Sequence, residues 1–222
     1  MKILQFAVIS LAVGLMASPC LAIIGVPSLV ESNATVPGGT GQVLTLMVVP
    51  DGSGPAFTEA TDPAGNVVDA TIEVFLADNF ASPIPGYPRE DIWLEWDASS
   101  AGLAICTPRR YGGGVFETIH LDTEMDDQGI SHFSLPPHAG GYIAEPVYVA
   151  ISGSRLINNA GLPLRFNSPD ISGDGQVDLT DVAAFAADFF GAYHFRSDLV
   201  HDGNINLSDV GRLAQHMGAG CP

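Results

Sequence analysis

Residues 70–76 read Ala70-Thr71-Ile72-Glu73-Val74-Phe75-Leu76, with Ala70, Ile72, Val74 and Leu76 in alternate places and Thr71 and Glu73 between them. Successive side chains of an extended chain point to opposite sides, so this stretch predicts a strand with one buried face. The same alternation recurs in Ile92, Leu94 and Trp96 against Asp91, Trp93, Glu95 and Asp97, and in Val147, Val149 and Ile151 against Tyr148, Ala150 and Ser152. Further apolar runs cover 43–49, 115–121, 130–135 and 162–166. Turn-forming clusters separate them: Asp51-Gly52-Ser53-Gly54, the segment 83–88, Gly112-Gly113-Gly114 and Pro136-Pro137. Short strands that follow one another without intervening helices predict a mainly β chain, an antiparallel sandwich over residues 23–167.

The 222-residue chain has 25 acidic and 8 basic residues, a formal charge of -17, and its one lysine is Lys2. Such a charge repels a nucleic-acid backbone, so no nucleic-acid partner is expected. Charged residues make up 15% against 46% apolar, the balance of a chain that folds and not of a disordered acidic tail.

Residues 1–22 combine Lys2, an apolar stretch from Ile3 to Ala17 and a Cys20-Leu21-Ala22 ending, which fits a signal peptide cleaved after Ala22. Pro19 and Ala17 suit lipid attachment at Cys20 poorly, and the stretch is short for a retained anchor. The expected product is secreted or held at the cell surface, with no membrane span after cleavage. It keeps Cys106 and Cys221, which in an oxidising compartment could pair or stay apart, and the sequence leaves both open.

The run from Asp126 to Tyr142 resembles the penultimate hairpin of bacterial immunoglobulin-like domains of the invasin kind, over fewer than about twenty residues, and implies that fold without implying a ligand. An enzyme is not expected. His120, His132 and His138 are scattered, and there is no His-Glu-x-x-His pair, Gly-x-Ser-x-Gly elbow or phosphate-cradling glycine loop. Glu90, Asp91, Glu95 and Asp97 lie close to Trp93 and Trp96, which raises a sugar-binding or glycosidase face. Alternation instead places Asp91, Glu95 and Asp97 on the solvent side of a strand.

The chemistry concentrates after residue 167. Asp170-Ile171-Ser172-Gly173-Asp174-Gly175-Gln176-Val177-Asp178-Leu179-Thr180-Asp181 carries oxygen-bearing side chains at loop positions 1, 3, 5, 9 and 12 and glycine at 6. A hard cation takes six or more oxygens, and alternate positions of a tight loop can supply them. Asp170, Ser172, Asp174, Asp178 and Asp181 are the side-chain candidates for calcium, and Gln176 the backbone carbonyl. A second loop opens at Asp198, 28 residues on, with Asp198, Asp202, Asn206 and Asp209 at positions 1, 5, 9 and 12, Gly203 at the turn and Asn204 at the carbonyl place. Val200 removes the oxygen at position 3, so this site should be the weaker. Val177 is expected to pair with its counterpart in the second loop. Each loop leads into an amphipathic helix, one with Val182, Phe185, Ala186 and Phe189 on a face, the other with Val210, Leu213, Ala214 and Met217.

Two calcium loops ending in Asp, each followed by one helix, resemble a type I dockerin module over residues 168–222. The resemblance implies an EF-hand-like, calcium-dependent helical module that grips a cohesin module in extracellular polysaccharide-degrading assemblies. Positions 10 and 11, here Leu179, Thr180, Leu207 and Ser208, would face that partner. Two departures stand out: the helices offer only Arg212 as a basic residue, and Asn167-Ser168-Pro169 replaces a long linker. The leading expectation is a non-catalytic, exported calcium-binding protein used in attachment or assembly. The alternatives are an accessory part of polysaccharide catabolism whose sandwich binds glycan, and a purely structural calcium cap. The short linker predicts that the module packs on the body, with some of Phe190, Tyr193 and Phe195 touching it.

Overall fold

The alternation at 70–76 becomes a strand, Ile72–Phe75, in which Ile72 and Val74 are wholly buried, as is Leu76 just past its end. The computed structural model describes residues 25–39, 41–97, 102–106, 109–111, 114–116, 118–144, 146–157 and 161–222. The leader assigned to 1–22 and the Gly112-Gly113 part of the glycine turn lie outside them. Strands β1 (Asn33–Thr35), β2 (Leu44–Met47), β3 (Ala60–Thr61), β4 (Val67–Val68), β5 (Ile72–Phe75), β6 (Ile92–Glu95) and β7 (Leu103–Ile105) come first. They are followed by β8 (Arg109–Tyr111), β9 (Gly114–Phe116), β10 (Ile130–Phe133), β11 (Ala139–Gly141), β12 (Tyr148–Ile151), β13 (Ser154–Arg155) and β14 (Leu164–Asn167). Two short helices, α1 (Leu179–Phe189) and α2 (Leu207–Gln215), close the chain. The protein is therefore mainly β. Among the described residues no helix is long and apolar enough to cross a membrane.

The strands pair in the orders β1-β5-β10, β13-β12-β6 and β14-β2-β3-β4, with two further pairs, β7-β11 and β8-β9. Among the described residues the named strands pair antiparallel except β2 and β14, which run parallel from Leu44↔Leu164 to Met47↔Asn167, and the single bridge Val49↔His138 is parallel too. This departs from the wholly antiparallel expectation. Parallel neighbours need a long return path, and here the whole body between them supplies it.

β2 explains how the two parts of the chain meet. Leu44, Leu46 and Val48 enter the main core with Phe57, Ile72, Phe133 and Phe166. Met47 and Val49, pointing the other way, join Ile171, Val177, Phe185, Leu199 and Leu213 of the C-terminal segment. A strand covered on both faces reads as a continuous apolar run, which is why 43–49 lacks the alternation of 70–76.

Polar contacts cross the same seam. The buried Asn167 amide donates to Asp198 O at 2.7 Å and Phe195 O at 3.2 Å, and its oxygen meets His201 Nε2 at 2.8 Å. The other ring nitrogen of His201 bonds the Thr61 hydroxyl. A disulfide joins Cys106, just after β7, to Cys221.

Several expectations need correction. Val177 does not pair with the second loop: its N–H donates to Ala219 O at 2.8 Å and its carbonyl accepts from Gly218 N at 2.9 Å. The returning tail occupies the edge that the second-loop counterpart was expected to fill. Val182, Val210 and Met217 are 38%, 39% and 42% exposed, because Phe185 and Leu213 turn toward β2 and leave those neighbours outward. Of the three aromatics, Phe195 meets the body, under the Arg165 guanidinium at 4.2 Å, whereas Phe190 is exposed. The acidic stretch is more than a solvated face: Glu95 and Asp97 hold Arg155 at 3.0 and 2.7 Å, with its guanidinium over Tyr148. Trp93 is half-buried, donates to Glu95 at 3.0 Å and meets His120 edge-on.

Candidate metal centre

The first loop is organised around buried carboxylates. Asp170 is fully buried; its Oδ1 accepts from Gly173 N, Asp174 N and the Ser172 hydroxyl at 2.8, 3.2 and 3.2 Å, and its Oδ2 from Gly175 N at 2.8 Å. Asp181, also fully buried, closes the loop from the far end, accepting from Ser172 N and Asp178 N, both at 2.8 Å. Ser172 thus bonds to both carboxylates. Gly173 and Gly175 take φ of +70° and +88°, which a side chain would resist.

The second loop repeats the scheme. Asp198 accepts from Asp202 N at 3.2 Å and Gly203 N at 3.0 Å, and Asp209 from Val200 N at 2.9 Å and Asn206 N at 2.8 Å. Asp178 and Asn206 cap α1 and α2 by accepting from Thr180 N and Ser208 N, while Asp181 and Asp209 bond back to the cap. These reciprocal bonds satisfy donors that a helix end leaves open, so the position 9 and 12 residues start the helices as well as close the loops.

The remaining predicted donors are engaged in local bonds of the loops. Asp174 Oδ1 accepts from Gln176 N at 3.0 Å, Asp202 Oδ1 from Asn204 N at 2.9 Å, and Asp202 Oδ2 from Asn206 Nδ2 at 3.1 Å. Gln176 lies in a bridge with Gly220. Among the described residues no three His, Cys, Asp or Glu side chains come together closely enough to hold a metal by themselves. Burial pushes the Asp170 carboxyl up against the N–H bonds of Gly175, Gly173 and Asp174, with the charge of Asp181 adding to the rise; burial likewise pushes Asp209 up against the N–H bonds of Asn206, Val200 and Leu199, with Asp198 adding to it. Among the described residues, no ion pair neutralises either end of either loop. Asp188, by contrast, is held by Arg196 at 2.7 and 2.9 Å and by the Ser197 hydroxyl at 2.6 Å. Burial works against its charge, and those bonds prevail and hold its carboxyl below the usual range. An all-oxygen set of acidic, hydroxyl and carbonyl donors fits calcium better than a softer metal.

Two participants have no signal in the loop spacing. Tyr193 donates its hydroxyl to Asp198 Oδ2 at 2.8 Å, and burial followed by that bond pushes the phenol up to about 12. His201 takes φ +63°, the left-handed shape that Gly173 takes at the same place of the first loop, and is buried against Thr61 and Asn167. Leu179 and Leu207 are 76% and 77% exposed, and Thr180 and Ser208 beside them are exposed too.

No family model and no curated protein matches the chain. Among solved structures, the Lin-41 filamin domain is similar at 11% identity and a TM-score of 0.29, over 65% of this chain and 97% of that one.

Proposed function

We propose that this is an exported, non-catalytic calcium-binding protein: an immunoglobulin-like sandwich bearing a dockerin-like module that serves extracellular attachment or assembly. The observation that carries the reading is the duplication of both loop and surface. Each loop buries its first and last carboxylate, and each presents an equivalent outer tip, Leu179-Thr180 with Val182 and Leu207-Ser208 with Val210. In each loop, Asp170 with Asp181 and Asp198 with Asp209 would hold calcium from the two ends. Ser172, Asp174 and Asp178 would complete the first site, and Asp202 and Asn206 the second. Calcium would supply the positive charge that the buried carboxylates lack. Apolar side chains held outward at two matched places suit a protein partner, for which a cohesin module is the candidate.

Calorimetric titration with calcium, followed by binding to a type I cohesin module with and without EDTA, tests the reading. Two calcium sites and EDTA-sensitive cohesin binding are expected. Calcium binding without cohesin binding would favour a structural cap, a second reading favoured by the shared core of Met47 and Val49 with Phe185 and Leu213.

A further inference from the structure

The first loop is gripped from two sides by segments that one covalent bond joins. On one side the tail lies along it: besides the Val177 bonds, Cys221 N donates to Gly175 O at 2.9 Å and Gly220 bridges Gln176. A Cβ at Gly175 would stand 2.9 Å from Cys221 Sγ. On the other side β11 forms the floor. Gly141 N donates to Asp170 O at 2.7 Å, and a Cβ at Gly140 would collide with Asp170 Oδ2. β11 pairs with β7 through Ala139↔Ile105, and Cys106, the next residue, is bonded to Cys221. Floor and tail are thus one closed ring around the first loop. The second loop lacks this enclosure, and a Cβ at Gly203 would meet nothing within 4 Å.

We propose that the Cys106–Cys221 disulfide positions the first calcium loop selectively. With the bond closed, the tail stays on Gly175 and Val177; with it open, residues 218–222 are held there by their backbone bonds and the packing of Ala219 alone. Linkage is reciprocal, so calcium in the first loop must shift the dithiol–disulfide equilibrium toward the closed bond by as much as the bond favours calcium there. The inference rests on the calcium reading above.

The test is calorimetry on the oxidised protein and on Cys106→Ser/Cys221→Ser, each combined with Asp202→Ala to leave the first site or Asp174→Ala to leave the second. Loss of the bond should weaken the first site by about tenfold and leave the second unchanged. Equal weakening of both sites, or no change at the first, overturns the inference. A second measurement needs no cysteine variant. Dithiothreitol attacks one sulfur and leaves as its cyclic disulfide, passing two electrons and two protons to give two cysteine thiols, which alkylation counts. In a buffer of reduced and oxidised dithiothreitol, calcium should shift the equilibrium about tenfold toward the disulfide in the parent and in Asp202→Ala, and not in Asp174→Ala; the same equilibrium with calcium and EDTA in the parent, or a shift that survives Asp174→Ala, overturns the inference. If the oxidised parent binds no calcium at all, the calcium reading fails and takes this inference with it; calcium binding that is blind to the bond defeats the inference alone.

Discussion

Asp62, Asp78 and Asp126 build three turns of one design. Each Oδ1 accepts from the N–H groups two and four residues on: Ala64 and Asn66, Phe80 and Ser82, Gln128 and Ile130. Part of the chain's acidity therefore shapes hairpins, a use of Asp that leaves no long-range signature. The fourth residue of each turn is left-handed: Gly65 at φ +81°, Gly129 at +70° and Ala81 at +58°. Ala81 carries a penalty of roughly 1–2 kcal/mol that its two counterparts avoid, against roughly 0.5–1 kcal/mol of extra chain entropy for glycine. Ala81→Gly should therefore stabilise the protein by about 0.5–1 kcal/mol, seen as a higher urea midpoint; a lower midpoint would contradict the argument. The reverse change separates shape from space. Gly129→Ala would bring a Cβ to 2.6 Å from Leu76 O, whereas Gly65 has nothing within 4 Å. Gly129→Ala should lower the midpoint clearly more than Gly65→Ala.

At the scale of elements, the sequence was readable wherever one periodicity reported one environment. β5 and β6 alternate because one side of each is core, whereas in β12 Ala150 is buried along with Val149 and Ile151. β2 was readable as a strand, but nothing in 43–49 says that its second face meets another part of the same chain. β11 is Ala139-Gly140-Gly141, with almost no side chain to show a period, although its lack of side chains lets Asp170 lie against it. The loops were legible because oxygen spacing is local. The Val177 partner and the disulfide were not, since both depend on where the tail returns. Asn167 belongs to this hidden class: at the end of β14 it reads as a linker residue, yet it satisfies Phe195 O and Asp198 O and meets His201. Asn167→Ala leaves these buried groups without that partner and should cost about 2–3 kcal/mol in urea unfolding. An effect below about 0.5 kcal/mol, as for an ordinary surface change, would show that the seam is not held there.

For the whole molecule, the question is whether the C-terminal segment unfolds by itself. Its apolar cluster is completed by Met47 of β2 and Val49 just after it, whose neighbours Leu46 and Val48 are in the main core. Melting the segment alone would expose one face of a central strand and break the Asn167 contacts, while the disulfide would still tether its end. One cooperative thermal transition is therefore expected for the oxidised, calcium-loaded protein, with calorimetric and van't Hoff enthalpies in agreement. Calcium should move that single transition as a whole. An extracellular-type site with a Kd on the order of 10⁻⁴ M in about 10 mM calcium contributes roughly 2.7 kcal/mol. For a chain of this size that corresponds to a Tm higher by about 5–10 °C than in EDTA. The measurement is a pair of calorimetric scans, one in calcium and one in EDTA. If calcium instead shifts a small early transition and leaves a larger one in place, the segment is an independent unit, and β2 does not couple the two cores.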